Sequence, residues 1–408
     1  MDQKQEDKVK EITDKLEQGV KELFESQKYA DYLKVMSKFH NYSFNNSLLI
    51  AMQRPEATMV AGYTAWQANF HRNVKKGEHG IRILAPSPYK VKKDIDKVDP
   101  DTKQPVIGKD GVPVKEHVEV TIPAYKVTTI FDVSQTEGEP MPEISNNLTG
   151  DVKEYERFFE AIRAISPVPI SVRDINSAAN GYYDGTEKGI VIKAGLSQAQ
   201  TLKTAIHEVS HAKLHDKDTG MEKDNNPDRR TKEVQAESVA YTVCSHFGLD
   251  TSDYSFGYIA GWSAGKELSE LTKSMNVIRR TASEIIKGIE SKIYRAEEEE
   301  RVEDMARDIV DLKRDINPVD FANIVKDREE MVSIIKASLK TGNVGYISDW
   351  FRPLAEREEP ADICIRAKAI VKDLSRCTRV KPAERIADET ARYAAKNKDV
   401  VKHHHRRF

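Results

Sequence analysis

The chain has 408 residues, of which 39% are hydrophobic and 32% charged, and its formal net charge at pH 7 is -2. This length is enough for two or three domains of roughly 100–200 residues. No uninterrupted apolar run approaches the ~20 residues of a membrane-spanning helix, and the charged N-terminus lacks the apolar segment of a secretory signal. The three cysteines form no CxxC pair, which argues against a disulfide framework, so we expect a cytoplasmic protein that does not enter a membrane.

The first third of the chain mixes helical and strand patterns. Apolar residues at helical spacing predict an amphipathic helix within residues 6–40, and a second helix over 41–53 is capped by Ser43 or Asn45. A short strand is predicted around Ile81–Leu84, and β-branched residues at 120–133 indicate another. The polar stretch 94–118 is typical of an exposed hairpin tip or an insertion, and 137–150 is typical of a linker.

The rest of the chain begins with a helix near residue 151 and a short strand over 168–174. The runs GYYD and GIVIKAG, separated by a turn, predict a hairpin over 181–195. Helices follow over 196–216 and 231–248, and the chain is helical from about 258 to 313. We therefore predict an α+β protein with an N-terminal α+β domain (1–140), a second α+β domain (151–300) and a mostly helical region (316–408) of unknown role.

The helix over 196–216 contains His207-Glu-Val-Ser-His211, the pattern HExxH. Residues four apart lie on one face of a helix, so both imidazoles can reach the same Zn2+ ion. Glu208 lies beside the metal without binding it. There it can take a proton from a water molecule at the metal and pass it to a leaving amine.

A catalytic zinc site usually needs a third protein ligand. His215 is excluded, because eight residues of helix separate it from His207 by about 12 Å. Glu233 and Glu237 share a face of the next helix, an arrangement that resembles the second helix of thermolysin-like (gluzincin) sites. We predict Glu233 as the ligand and Glu237 as the acid that hydrogen-bonds a ligand histidine and fixes its tautomer, with the reverse assignment left open.

Two tyrosines alternate along the first strand of the predicted hairpin. Tyr182 and Tyr183 point to opposite faces of that strand. One of the two hydroxyls is a candidate for stabilising an oxyanion near the metal, and the alternative is that both rings pack in the sheet.

The segment 71–93 carries seven cationic side chains and one acidic one. Cations that follow phosphates, together with aromatic rings that stack on bases, are typical of a single-strand nucleic-acid surface. The alternative is a solvated basic face with the tryptophan in the core. The candidate nucleic-acid-binding residues are Arg72, Lys75, Lys76, Arg82, Trp66 and Tyr63.

The segments YSFNNSLLIAMQ, GYTAWQANFHRNVKKGEHGIRILAP and KVTTIFDVSQTEG resemble the N-terminal domain of ArdC-type antirestriction proteins. The order of this domain followed by a zincin-like domain with HExxH is similar too, over about residues 30–290. The resemblance implies an N-terminal domain that binds single-stranded DNA, a metallopeptidase-like domain, and a role in protecting incoming DNA of mobile elements from host restriction during conjugation.

Three functions are therefore considered. The first is an ArdC-like single-stranded-DNA-binding antirestriction protein with a zinc metallopeptidase-like site. The second is a metalloprotease that cleaves a regulatory, repressor-like protein, as ImmA-type zincins do, with the N-terminal domain used for targeting. The third is a binding protein with a purely structural zinc. The third is disfavoured, because a structural site is typically closed by four protein ligands and has no use for Glu208.

Overall fold

The protein is described by a computed structural model, which covers residues 3–24, 26–99, 102–108, 111–141, 152–254, 256–317, 328–357 and 361–377. The chain divides into two compact units, and each combines two stretches of sequence: Met1–Asn147 with Leu214–Ser283, and Leu148–Lys213 with Glu284–Phe408. The domain bounds 1–140, 151–300 and 316–408 rest on local sequence patterns and stay a prediction. Over the part of the chain covered here, helices that combine the length and the apolar character of a membrane span are absent.

The first unit opens with helices α1 (Gln3–Leu23), α2 (Ser26–Lys38), α3 (Phe44–Gln53) and α4 (Tyr63–Phe70). The amphipathic stretch predicted over residues 6–40 therefore forms two helices. Buried side chains recur every third or fourth residue along one face of α1, namely Ile12, Leu16, Val20 and Leu23.

Short antiparallel sheets complete the N-terminal part of this unit. One has the strand order β1 (Val60–Gly62), β6 (Tyr125–Asp132) and β3 (Ile81–Pro86), and a second pairs β2 (Arg72–Val74) with β7 (Thr136–Gly138). A third pairs β4 (Tyr89–Asp96) with β5 (Lys115–Ile122). The strand predicted over 120–133 is thus interrupted, because Pro123 has no N–H to donate to a ladder. Within the stretch 94–118, which the sequence predicts as a hairpin tip or an insertion, residues 94–96 and 115–118 belong to β4 and β5, and the described residues 97–99, 102–108 and 111–114 lie between these strands.

Helix α3 protects the open edge of strand β3. It begins at its predicted cap, where the Ser43 hydroxyl accepts the N–H of Asn46 at 3.3 Å. The Asn46 amide exchanges two hydrogen bonds with the backbone of Leu84, at 2.9 and 3.0 Å. Gln53 does the same with Arg82, at 2.8 and 2.9 Å. These two amides satisfy backbone groups that a further strand would otherwise pair with.

A buried aspartate fixes the exit of strand β6. The Asp132 carboxylate is only 2% exposed and accepts the N–H groups of Thr58, Met59 and Ser134, as well as the Ser134 hydroxyl. Burial raises the pKa of Asp132, but these hydrogen bonds outweigh it and hold the pKa below its ordinary value. This acid therefore joins the loop before β1 to the end of β6.

The C-terminal part of the first unit contains α7 (Arg229–His246), α8 (Ile259–Ser263) and the start of α9 (Leu268–Ile316). Helix α2 packs against α7. The fully buried Tyr29 shares a hydrogen bond of 2.8 Å with the Ser238 hydroxyl, and the His246 ring lies 2.9 Å from the carbonyl oxygen of Ser37. The N-terminal helices and α7 therefore share one core.

The second unit contains α5 (Val152–Ile165), β8 (Ile170–Arg173), β9 (Gly181–Asp184), β10 (Gly189–Lys193) and most of α6 (Gln198–His215). Strand β10 lies in the centre of the sheet, parallel to β8 and antiparallel to β9, so β9 is an edge strand. The predicted hairpin over 181–195 is confirmed by this pairing.

The C-terminal region is helical over its described residues, as predicted. After α9 come α10 (Arg328–Thr341), α11 (Gly345–Ala355) and α12 (Asp362–Cys377). These helices and the end of α9 enclose a separate apolar core that includes Ile309, Leu312, Ile335, Phe351 and Ala367.

Candidate metal centre and nucleic-acid interface

Helix α6 carries the HExxH motif in its C-terminal half. The Ser197 hydroxyl accepts the N–H of Gln200 at 3.2 Å, which stabilises the start of the helix. One face of α6 is buried and apolar, and this fixes the direction in which the motif points: Leu202, Ala205, Ile206, Val209 and Ala212. The histidines on the next face remain partly exposed.

His207 and His211 point at one another across one helical turn. Their Nε2 atoms are 3.1 Å apart, and the rings meet at 75°. Two nitrogens bound to one tetrahedral zinc at roughly 2.0–2.1 Å would lie about 3.3 Å apart. The pair therefore fits a shared divalent ion with a small adjustment of the side chains.

Glu208 is 7% exposed, which is unusual for a carboxylate. Strand β9 approaches α6 beside it. A Cβ added to Gly181 would lie 3.5 Å from Glu208 Cγ, 2.5 Å from Thr204 Cγ2 and 2.9 Å from the carbonyl oxygen of Val191. Only a glycine allows this approach, and it brings the edge strand next to the motif.

The two acids of α7 have different surroundings. Helix α7 is capped by Asp228, whose carboxylate accepts the N–H of Thr231 at 2.9 Å. Glu233 is exposed, whereas Glu237 is partly buried and its Oε2 accepts a hydrogen bond from the Tyr258 hydroxyl. The other residues between Val234 and Cys244 are buried, so the two acids lie on the accessible side of this helix.

His207 and His211 together offer two ligand nitrogens on one face of α6. The Nε2 atom of His215 lies 2.8 Å from the side-chain oxygen of Gln235. The assignment of Glu233 as third ligand stays a prediction.

The two tyrosines of β9 point to opposite sides of the sheet. The Tyr182 hydroxyl lies 3.4 Å from a guanidinium nitrogen of Arg173, and the ring is 39% exposed. Because Gly181 faces α6, Tyr182 points away from α6 and Tyr183 points toward it. Tyr182 faces away from the motif helix and is therefore no longer an oxyanion candidate. The role of Tyr183, whose ring lies against Gly185, stays a prediction.

Two predicted nucleic-acid-binding residues have structural roles instead. Trp66 is fully buried, and its indole N–H donates to the carbonyl oxygen of Phe131 at 2.9 Å, so it offers no face for a base. Arg72 joins β2 to β7 by donating to the hydroxyl of Thr136 at 2.8 Å, to its carbonyl at 3.0 Å, and to the carbonyl of Glu139. The prediction that Trp66 binds nucleic acid is wrong, and the hydrogen bonds of Arg72 hold β2 to β7.

The other predicted residues are exposed. Lys75 and Lys76 lie in the turn after β2, and Arg82 lies on β3 with half of its side chain exposed. Tyr63 is 51% exposed and meets Phe131 edge to face, with ring centroids 6.3 Å apart.

Sequence reasoning missed a further aromatic residue on this surface. Tyr125 is 52% exposed and, like Phe131, projects from the face of β6 opposite the buried Ile130. The signal that could have found it is the two-residue period of a strand, which puts Tyr125 on the same face of β6 as Phe131.

Two family models match the chain. The model of the N-terminal domain of anti-restriction factor ArdC matches residues 2–131, and the IrrE N-terminal-like domain of the Peptidase_M78 family matches residues 167–248. The uncharacterized protein pXO2-81 of Bacillus anthracis is 30% identical over 362 residues, which are 80% of this chain and 59% of that protein. The chain therefore spans less than two thirds of that relative.

Solved structures of the antirestriction ArdC protein from the R388 plasmid are also similar. The metal-free crystal structure has 22% identity and a TM-score of 0.38, and covers 62% of this chain and 86% of its own. The Mn(II)-bound crystal structure has 20% identity and a TM-score of 0.34, with coverages of 62% and 84%. The chain therefore carries, in this order, a segment that matches the N-terminal domain of the anti-restriction factor ArdC and a segment that matches the IrrE N-terminal-like domain of the M78 peptidase family.

Proposed function

We propose that this ArdC-like protein binds single-stranded DNA through its N-terminal domain and holds a zinc ion in a metallopeptidase-like site, in the protection of incoming DNA from restriction. The observation that carries the metal site is the pair His207 and His211, whose Nε2 atoms lie 3.1 Å apart on one face of α6, with Glu233 of α7 proposed as the third ligand. Glu208 follows His207 directly and is buried.

In the proposed site, the zinc ion, Glu208 and strand β9 each have a function. Zinc held by three protein ligands keeps an open position and supplies Lewis-acid activation of a water molecule. Glu208 accepts a proton at its carboxylate and delivers it to the leaving amine. Strand β9 offers an edge along which an extended peptide can add a strand.

The peptidase part is tested with Glu208→Gln, which keeps the size of the side chain and removes the base. We expect this variant to bind zinc as the wild type does and to lose cleavage of its protein substrate. Comparing the proteomes of cells that express the two proteins would reveal the substrate. If no protein differs between them, the peptidase proposal fails while the metal site stands.

The nucleic-acid surface is proposed to consist of the exposed cations Lys75, Lys76 and Arg82 with the exposed rings of Tyr63 and Tyr125. The cations neutralise phosphates, and each accessible ring offers a face on which a base can stack. Buried Trp66 is not part of it.

The DNA-binding part is tested by replacing Lys75, Lys76 and Arg82 with Ala. Binding of a fluorescent single-stranded oligonucleotide should weaken, and the slope of log K against log salt should fall by about 2, from roughly 0.7 per lost phosphate contact. The matched control replaces the exposed Arg357, Lys368 and Lys372 of the second unit. Equal effects of the two triple variants would refute the assigned surface.

A second function, cleavage of a regulatory protein with the N-terminal domain used for targeting, is favoured by the IrrE-like domain match and the edge strand β9. The two functions differ in what Glu208→Gln does in the cell. Antirestriction that survives in this variant would separate the DNA-binding role from cleavage. Loss of antirestriction with intact DNA binding would favour the protease.

A further inference from the structure

Tyr258, which lies just before α8, contacts the acid pair of α7. Its hydroxyl donates a hydrogen bond to Oε2 of Glu237. Glu237 follows Glu233 by one helical turn and therefore lies on the same side of α7. A neutral donor thus engages one oxygen of the carboxylate that neighbours the proposed ligand.

The segment that carries Tyr258 is fixed to α7 at several points. The Tyr258 carbonyl accepts a hydrogen bond from Arg230 at 3.2 Å, and the Trp262 indole N–H donates to the Thr231 hydroxyl at 3.0 Å. Phe256 meets Tyr241 of α7 edge to face at 5.3 Å. These contacts fix the backbone at Tyr258 and thereby restrict the position of its hydroxyl.

The N-terminal helices hold the other side of this segment. Phe256 also meets Tyr29 of α2 edge to face at 5.2 Å, and Trp262 packs against Phe24 with ring centroids 5.7 Å apart. Tyr29 in turn bonds to Ser238, the residue after Glu237. Contacts with α7 and contacts with the N-terminal helices together fix the position of Tyr258.

Tyr258 stays protonated over any working pH. Burial, followed by the hydrogen bond and the charge of Glu237, raises its pKa well above the ordinary value of a tyrosine. Its hydroxyl therefore keeps the proton that it donates to Glu237.

We propose that Tyr258 is a positioning residue for the metal centre: its hydroxyl donates to one oxygen of Glu237 and so restrains the carboxylate that is proposed as the outer partner of a ligand histidine. This inference rests on the proposed metal site. A carboxylate partner of this kind fixes the tautomer and orientation of a ligand histidine and raises its basicity. Tyr258 would act on metal affinity through Glu237 and would not touch the substrate.

The test is the zinc affinity of Tyr258→Phe, which keeps the packed ring and removes the hydroxyl. Competition with a chromophoric chelator should show about 10-fold weaker binding, the lower end of the range for removal of an outer partner. The visible spectrum of the Co2+-loaded protein should also shift, because ligand orientation changes. Tyr32→Phe is the matched control, since its buried hydroxyl shares a hydrogen bond of 2.9 Å with the Ser47 hydroxyl within the same unit.

A double-mutant cycle separates positioning from general stability. If Tyr258 acts through Glu237, Tyr258→Phe should have no further effect on zinc affinity in a Glu237→Ala background. Equal losses in both backgrounds, or wild-type affinity and spectrum in Tyr258→Phe, would overturn the inference and leave the metal site intact. A wild-type protein that binds no zinc would overturn the metal site as well.

Discussion

At the scale of single residues, the polar groups with the strongest structural roles are buried ones. Asp132 accepts four hydrogen bonds that join the chain before β1 to the exit of β6. The pattern FDVSQT suggested a strand exit, and the structure supplies the reason for its aspartate. An exposed acid at this position would have no such role.

Replacing Asp132 with Asn should destabilise the N-terminal domain by roughly 1–3 kcal/mol at neutral pH, because an amide N–H2 would face the N–H of Ser134. The lowered pKa of Asp132 means that the carboxylate contributes stability above the ordinary pKa of an aspartate, and that this contribution is lost as the pH falls through the lower, folded-state pKa. Urea unfolding followed by tryptophan fluorescence should show the difference from the wild type shrinking below about pH 4.

The exposed acid Asp94 of β4 provides the control for charge, and Asp94→Asn should have little effect on the urea midpoint at neutral pH. A difference between wild type and Asp132→Asn that stays constant down to low pH would contradict the role of the ionised carboxylate.

At the scale of elements, the approach of an edge strand to the motif helix depends on Gly181. A methyl group there would lie 2.5 Å from Thr204 Cγ2 and 2.9 Å from a backbone oxygen, so β9 or α6 would have to move. Such overpacking typically costs about 1–3 kcal/mol.

Gly181→Ala should therefore lower the midpoint of thermal unfolding and reduce any peptidase activity more than it reduces binding of single-stranded DNA. Gly189→Ala is the matched control, because Gly189 lies on β10 of the same hairpin and a Cβ there meets nothing within 4 Å. Equal stability and activity of the two variants would show that the close approach of β9 is unimportant.

Element geometry also explains how much of the site could be predicted from sequence. His207 and His211 are four residues apart in a helix, so local periodicity alone predicts that their rings meet. The direction of Trp66 was not predictable in this way, because its helix mixes polar and apolar residues and its burial depends on Phe131, 65 residues later in the chain. Tyr258 belongs to no motif, and its link to Glu237 depends on how α8 folds back onto α7.

At the scale of the whole molecule, the compact units do not follow the order of the sequence. The first unit joins the N-terminal 147 residues to residues 214–283, so that α2 and α7 share a core. Sequence patterns predicted the helices themselves and the helical C-terminal region. They could not predict this union, because a buried face on an isolated helix does not identify its partner.

The packing of α7 against α2 has a consequence for the proposed function. Helix α7 carries Glu233 and packs against the same α2 that belongs to the ArdC-type N-terminal domain. The proposed nucleic-acid-binding domain and the helix that carries Glu233 thus belong to one compact unit and are not joined only by a linker.

The most direct test of the central claim is a calorimetric titration of metal-free protein with Zn2+, comparing the wild type with His207→Ala, Glu233→Gln and His215→Ala. We predict one zinc per wild-type chain and equal binding by His215→Ala, which removes an imidazole from the same helix. His207→Ala and Glu233→Gln should each weaken binding by more than the roughly 10–100-fold that loss of an outer partner costs. Wild-type zinc binding by His207→Ala and Glu233→Gln would contradict the assigned metal centre.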